Sequence, residues 1–220
     1  MVGITTWHAF FAATHLTLHE RHVLVLGYGL VGQGLCEAAR AYGACVTVCE
    51  PNPVRAMQAR YAGWHVVDSL DDDDGHGEHN NDNDHVHELL STVDVICTAT
   101  GMPGVLGASQ MAHLKSGVFL LNAGHAANEI DVTALTQQSC EVHQVMPHVQ
   151  EFLFDNNNRS IFLLCGGSMA NLTAGEGDSI NAFDVTLAVL TAGIGHLVTL
   201  GHEYCPGLHT LPEHVWRAVL

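Results

Sequence analysis

Residues 22–32 read His-Val-Leu-Val-Leu-Gly-Tyr-Gly-Leu-Val-Gly, an apolar run that ends in Gly27-Tyr28-Gly29-Leu30-Val31-Gly32. The run predicts a strand buried on both faces, and the glycine pattern turns it into a helix expected over residues 32–42. Gly27 permits the tight turn, Gly29 lets the backbone approach a pyrophosphate, and Gly32 lets the helix lie close to the strand, with its amino terminus towards the phosphates. The next strand, residues 45–50 (Cys-Val-Thr-Val-Cys-Glu), ends in Glu50, an acid placed to accept hydrogen bonds from the adenosine ribose hydroxyls. NAD is therefore the expected cofactor. The charge of Glu50 would repel the 2′-phosphate of NADP, although Arg55 lies nearby; a tight turn with no ligand is the bland alternative.

The same rhythm continues on both sides of this unit. A helix packed on the domain is expected over residues 1–20, from the spacing of Trp7, Phe10, Phe11, Leu16 and Leu18. A helix over 53–61, strands over 65–68, 94–100 and 117–122, and a helical stretch around 108–114 follow. Alternating strands and helices require crossover connections, so the expected class is α/β, a doubly wound parallel sheet of the Rossmann type. Further extended segments are expected over 141–149, 150–154 and 161–164, the last two separated by a turn at Asn156, Asn157 and Asn158. A helix is expected over 183–200 and a short closing helix over 211–220. The expected organisation is one domain, 1–220, with a short appendage at 201–220.

Residues 71–88 break the rhythm: they hold eight of the 23 acids, no Lys or Arg, and almost nothing apolar. Such a segment cannot bury enough surface to offset its ordering entropy, so a solvated loop is expected. Its His76, His79, His85 and His87 could bind zinc or nickel loosely, but their spacing matches no structural zinc pattern, and no metal is expected.

The fourth and fifth strands end in Thr98-Ala99-Thr100-Gly101 and Asn122-Ala123-Gly124-His125. In a doubly wound sheet ligands gather at the carboxyl ends of the strands, so Thr98, Thr100, Gly101, Asn122, Ala123 and Gly124 should line one crevice with the glycine turn. His125 is the candidate catalytic residue, able to relay a proton or bind substrate; a structural histidine bonded to a loop carbonyl is the alternative. No Gly-x-Ser-x-Gly elbow is present, and the one lysine, Lys115, belongs to no phosphate-binding Gly-x-x-x-x-Gly-Lys motif.

Composition narrows the partners. The 220 residues are 47% hydrophobic and 14% charged, with a formal charge of −16, which argues against nucleic acid and anionic membrane surfaces. Seven cysteines form an odd set with no Cys-x-x-Cys spacing, as expected of reduced thiols in the cytoplasm. The opening residues 1–18 lack a basic start and are broken by His8 and His15, so neither a signal peptide nor a membrane span is expected there.

Several ordered motifs resemble one family. Residues 5–34 (TTWHAFFAATHLTLHERHVLVLGYGLVGQG), VTVCEPNPVRAMQARYAGWHV, DVICTATG, LNAGHAANEID, EVHQVMPHVQEFLF, IFLLCGGSMANL and GLHTLPEHV are similar, in this order, to segments of the NAD domain of S-adenosylhomocysteine hydrolases. The resemblance covers nearly the whole chain apart from the acidic segment, which looks like an insertion. It implies a tightly held NAD that is reduced and reoxidised within each turnover, as the substrate 3′-hydroxyl is oxidised, the 5′ substituent eliminated, water added and the ketone reduced back. It puts Gly29, Leu30, Val31 and Glu50 on the cofactor with Thr98 and Thr100 nearby, and Ala123, Gly124, His125 and Asn171 around the nicotinamide and substrate. Asp178 stands where the family has a substrate-contacting histidine, and Arg55 where it has an asparagine near the cofactor. The family's substrate domain, with its catalytic lysine and aspartate, and its basic tail have no counterpart among these residues, so the chain is expected to be incomplete as a hydrolase on its own. The leading expectation is an NAD-dependent enzyme or enzyme subunit that works on a nucleoside-like or small hydroxylated substrate, with a substrate-domain partner chain or a second protomer. Homo-oligomers are expected because an isolated cofactor domain exposes apolar crevice walls. The alternatives are a non-catalytic module that holds NAD, adenosine or S-adenosylhomocysteine, and a 2-hydroxy acid reductase, for which Arg159, Glu129 and His148 would have to assemble.

Overall fold

The apolar run before the glycine turn is the strand β1 (His22–Leu26), and Val23, Leu24, Val25 and Leu26 are all buried. The computed structural model describes residues 1–70, 80–154 and 159–219. Around β1 stand β2 (Cys45–Cys49), β3 (His65–Val67), β4 (Val95–Thr98), β5 (Val118–Asn122), β6 (Glu141–Met146), β7 (Val149–Phe154) and β8 (Arg159–Leu164), in the sheet order β3-β2-β1-β4-β5-β8-β7-β6. The strands from β3 through β8 pair in parallel, which gives the α/β Rossmann-type class read from the sequence. The pairs β8–β7 and β7–β6 are antiparallel, an addition to the expected all-parallel sheet. The reason is connection length: a link of a few residues cannot cross over, so it returns the chain beside itself. The turn expected at Asn156, Asn157 and Asn158 lies outside the described residues.

Each face of the sheet carries its own core. On one, α1 (Val2–Thr14) and α2 (Leu30–Ala41) pack Trp7, Phe10 and Leu35 against Val23, Val25, Val95 and Leu121. The two helices cross where glycines meet: a Cβ on Gly3 would run into the backbone of Gly34, and one turn on, Trp7 Nε1 donates to the Leu35 carbonyl at 3.0 Å. The helix expected over 1–20 thus stops at Thr14. The helix α3 (Pro53–Tyr61) coincides with its expected bounds and is capped by Asn52. On the other face, α4 (Asn80–Thr92), α5 (Ala108–Ala112) and α6 (Val132–Gln138) cover Leu24, Leu26, Ile96, Leu120 and Phe152.

The loop expected over 71–88 is corrected from residue 80 onward, where α4 begins; residues 71–79 lie outside the described part. Val86, Leu89 and Leu90, at the i, i+3, i+4 spacing of a helix face, pack into the second core. That anchorage outweighs the poor intrinsic propensity of the Asn and Asp residues before it.

The chain divides into two units, Val2–Gly177 and Asp178–Leu220, the second starting ahead of residue 201, where an appendage was expected. The second unit contains α8 (Ile180–Leu200) and α9 (Glu213–Arg217), α7 (Ala170–Thr173) being the last helix of the first. Within it, His196 Nε2 and the Tyr204 hydroxyl lie 2.8 Å apart. No residue of α8 is buried. By length and composition the segment Ile180–Glu203, of 24 residues and mean hydropathy 1.6, is apolar enough to cross a membrane. The expectation of no membrane partner rests on net charge and the opening residues alone and does not consider this helix.

Candidate functional site

The glycine turn separates into two structural glycines and one open one. Gly27 has φ +96°, a conformation that L side chains rarely adopt, and donates its N–H to the Cys49 carbonyl at 2.8 Å. A Cβ on Gly32 would run into the Gly27 carbonyl oxygen, so α2 reaches the strand only because Gly32 has no side chain. Gly29, with φ −70° and no side-chain cap for the helix it starts, has nothing within 4 Å of the place a Cβ would occupy. Gly29 thus leaves open space beside a helix start that no side chain caps, an arrangement suited to a phosphate. Leu30 is 90% exposed there, and Val31 is half-buried. The turn's remaining side chain points inward: Tyr28 is buried and its hydroxyl accepts the Trp64 Nε1–H at 2.8 Å, burial pushing the phenol pKa up.

Glu50, only 4% exposed, stands just past β2. One of its oxygens accepts the Tyr28 N–H at 2.7 Å and the other the Asn52 N–H at 2.9 Å. The acid is thus held against the glycine turn, and each carboxylate oxygen keeps a further lone pair for a hydroxyl donor. Arg55, on the first turn of α3, is exposed.

At the ends of β4 and β5 the polar side chains are largely spent on each other. Asn122 is fully buried; its Oδ1 accepts from Thr98 Oγ1 at 3.0 Å and from the Gly124 N–H at 2.7 Å, while its Nδ2 donates to the carbonyls of Ala126 and Gly167. Thr98 and Asn122 accordingly shape the crevice from inside, and Ala123 is buried with them. Thr100 and Gly101 are held by Glu129, which the sequence reading named only for the trio of the reductase alternative. Fully buried, Glu129 accepts the Thr100 N–H and hydroxyl and the Gly101 N–H, each at 2.8 Å. A Cβ on Gly124 would collide with the same carboxylate. Above it stands His125, exposed, its ring so close over Gly101 that a Cβ there would lie 2.8 Å from His125 Cε1. The structural alternative for His125 is not what is seen, since among the described residues no hydrogen bond holds its ring.

Asn171 lies on α7, two residues past Met169, which pairs with Asn122 at the end of β5. It is 4% exposed, and its Oδ1 has no hydrogen-bond partner among the described residues. A buried carboxamide oxygen without a donor is rare in native proteins and marks a place a ligand donor can fill. The carboxyl ends of adjacent strands therefore gather Gly27, Gly29, Leu30, Val31, Gly32, Glu50, Thr98, Thr100, Gly101, Asn122, Ala123, Gly124, His125 and Asn171. This set fits a dinucleotide: an uncapped helix start for the pyrophosphate, an acid for the ribose, and an unmatched acceptor beside β5 for an amide. Asp178 belongs to the second unit. Arg159 lies at the amino end of β8, donating to the Met111, Ala112 and Leu114 carbonyls, far along the strands from Glu129, so the trio a 2-hydroxy acid reductase needs is not assembled. In α4, His87 stacks on His113 with centroids 3.6 Å apart; His76 and His79 lie outside the described residues.

Residues 7–77 and 80–177 match the family described as S-adenosyl-L-homocysteine hydrolase, NAD binding domain. Adenosylhomocysteinase from Thermotoga maritima is 30% identical over 213 residues, which cover 97% of this chain and 48% of that protein. S-inosyl-L-homocysteine hydrolase from Methanopyrus kandleri is 32% identical over 219 residues, 99% of this chain and 47% of that one. The chain spans about half the length of the curated relatives it matches. Among solved structures, phosphoglycerate oxidoreductase from Vibrio cholerae superposes with a TM-score of 0.48 at 15% identity, covering 62% of this chain and 46% of that chain.

Proposed function

Because the chain belongs to the S-adenosyl-L-homocysteine hydrolase NAD-binding-domain family, with NAD as its cofactor, we propose that it works as an NAD-dependent enzyme or enzyme subunit on a nucleoside-like or small hydroxylated substrate. The groups that grip the substrate come, in this reading, from a partner chain or a second protomer. The observation that supports it is the buried Asn171 Oδ1, on α7 beside the end of β5, left without a hydrogen-bond donor among the described residues.

Bound NAD supplies a hydride acceptor. The chain's own part is to hold and orient it: the N–H groups at the start of α2 take the pyrophosphate, Glu50 takes the ribose hydroxyls, and Asn171 takes the carboxamide N–H. His125 is the proton carrier, since its exposed imidazole is the titratable side chain of the β5 loop that solvent and substrate can reach. The two relatives at 30% and 32% identity are named for different nucleosides, adenosyl and inosyl, which supports a class of substrate rather than one base. The partner half of the proposal draws on α8, whose Leu190 and Ile194 are 57% and 62% exposed. A cytoplasmic setting completes the reading, on the odd cysteine count.

Calorimetric titration with NAD, repeated on Glu50→Ala, tests the site; absorbance of NADH with nucleosides or small alcohols, alone and with candidate partner chains, tests the chemistry. Tight binding that the variant loses, with NADH formed, is the expected result. Binding without any NADH under every condition would turn the assignment to a non-catalytic module for NAD, adenosine or S-adenosylhomocysteine.

A further inference from the structure

The β4 loop at the crevice mouth is held by a side chain that comes from 28 and 29 residues further along the chain. Glu129 is 0% exposed, and both of its oxygens are committed: Oε2 to the Thr100 N–H and hydroxyl, Oε1 to the Gly101 N–H, all at 2.8 Å. No cation is among these partners. What the carboxylate secures is a stretch of backbone, and Gly101, at φ +71°, is the piece of that backbone over which the His125 ring lies. On its other side the carboxylate abuts Gly124, the residue before His125, so closely that only glycine fits there. This buried acid therefore touches the chain immediately before His125 and the surface immediately beneath it.

We propose that Glu129 is the positioning residue for His125, fixing through Gly101 and Gly124 where the imidazole stands at the mouth of the cofactor crevice. The role attached to His125 rests on the proposed function above; the geometry by which Glu129 places it does not. Hydrogen bonds from N–H groups to an acid are among the stronger in proteins, and an amide cannot replace this one, because its NH2 would face the Gly101 or Thr100 N–H head-on. Thr100 extends the clamp by one bond, its hydroxyl accepting from the Met102 N–H at 3.0 Å while it donates to Glu129.

The test compares the full chain with Glu129→Gln without any cofactor, by amide hydrogen exchange and by the imidazole resonances of His125, assigned from their loss in His125→Asn. Exchange of the Thr100 and Gly101 amides is expected to quicken by roughly tenfold or more in Glu129→Gln, with the His125 resonances displaced. Faster exchange with His125 unmoved would overturn the proposal, since the clamp would then hold the loop without placing the ring. Should Glu129→Gln not fold, Thr100→Val removes one arm of the clamp and leaves the acid; a smaller displacement of the same resonances supports the proposal, and unchanged resonances end it. A chain that binds no NAD yet shows the displacement would sink the proposed function and leave the positioning intact.

Discussion

The Glu50 carboxylate accepts the backbone N–H of Tyr28 at 2.7 Å, so the acid after β2 holds the glycine turn after β1 in place before any ligand arrives. Glu50→Ala strands two donors, the N–H groups of Tyr28 and Asn52. The expected cost is about 1–3 kcal/mol of stability for the buried Tyr28 donor, read from urea unfolding of the ligand-free chain. NAD affinity is expected to fall as well, and the two losses are separable because Glu50→Gln keeps one acceptor and should lose less stability than Glu50→Ala.

The glycines of the turn should respond in opposite ways. Gly32→Ala places a methyl group against the Gly27 carbonyl and is expected to unfold or severely destabilise the chain, because neither backbone can give way. Gly29→Ala meets nothing and has a backbone angle any residue accepts, so its melting temperature should match that of the parent. The same methyl occupies the open space over the helix start, and at least a tenfold loss of NAD affinity, about 1.4 kcal/mol, is expected by calorimetry. Equal NAD affinity in Gly29→Ala would show that the phosphates do not lie there.

Asn171→Leu removes a buried acceptor that has no donor among the described residues. The ligand-free variant is therefore expected to be as stable as the parent or more so, since an unmatched buried polar group costs about 1–3 kcal/mol. The rise in melting temperature that NAD produces in the parent should shrink in the variant. A ligand-free variant clearly less stable than the parent would mean the amide has a partner in solution.

Acid stability should depend on the lower end of the sheet. Burial works to raise the Asp94 carboxyl, but the hydrogen bonds from Lys115, at 2.7 Å, and from the His22 N–H, with the charges of Lys115 and Arg21, outweigh it and hold the group below its ordinary value of 3.8. A folded value below the unfolded one gives stability that is present above the unfolded value and lost as the pH falls through the folded one. His22 acts in the same direction at higher pH: burial outweighs the Asp94 charge and lowers its imidazole from 6.5, so the unfolded chain takes the proton first and stability falls as the pH drops below that value. Urea midpoints across a pH series should show both declines, with the lower one flattened in Asp94→Asn and the upper one in His22→Gln.

The local signals in the chain were enough to place β1, the turn, α2, β2 and Glu50, because strand period, glycine conformation and an acid at a strand end are properties of a few neighbouring residues. The same holds for α3, whose Asn52 cap and Pro53 start are written in consecutive positions. The motifs at the ends of β4 and β5 were legible for a different reason: parallel topology brings strand ends together whatever their distance in sequence. By contrast, α4 was hidden, since the polar composition before Val86 outweighed a helix spacing of only three apolar residues.

By itself, then, the sequence determined the class of the fold and the cofactor, which follow largely from residues acting on their immediate neighbours. Only the tertiary structure decided which polar groups there are spent and which are left over. Thr98 and Asn122 satisfy each other, Glu129 is drawn in to clamp a loop 28 residues before it, and Asn171 remains with an unmatched oxygen. Each of those outcomes depends on where β4, β5 and α7 come to lie side by side, a three-dimensional accounting of donors and acceptors that no stretch of the chain carries alone.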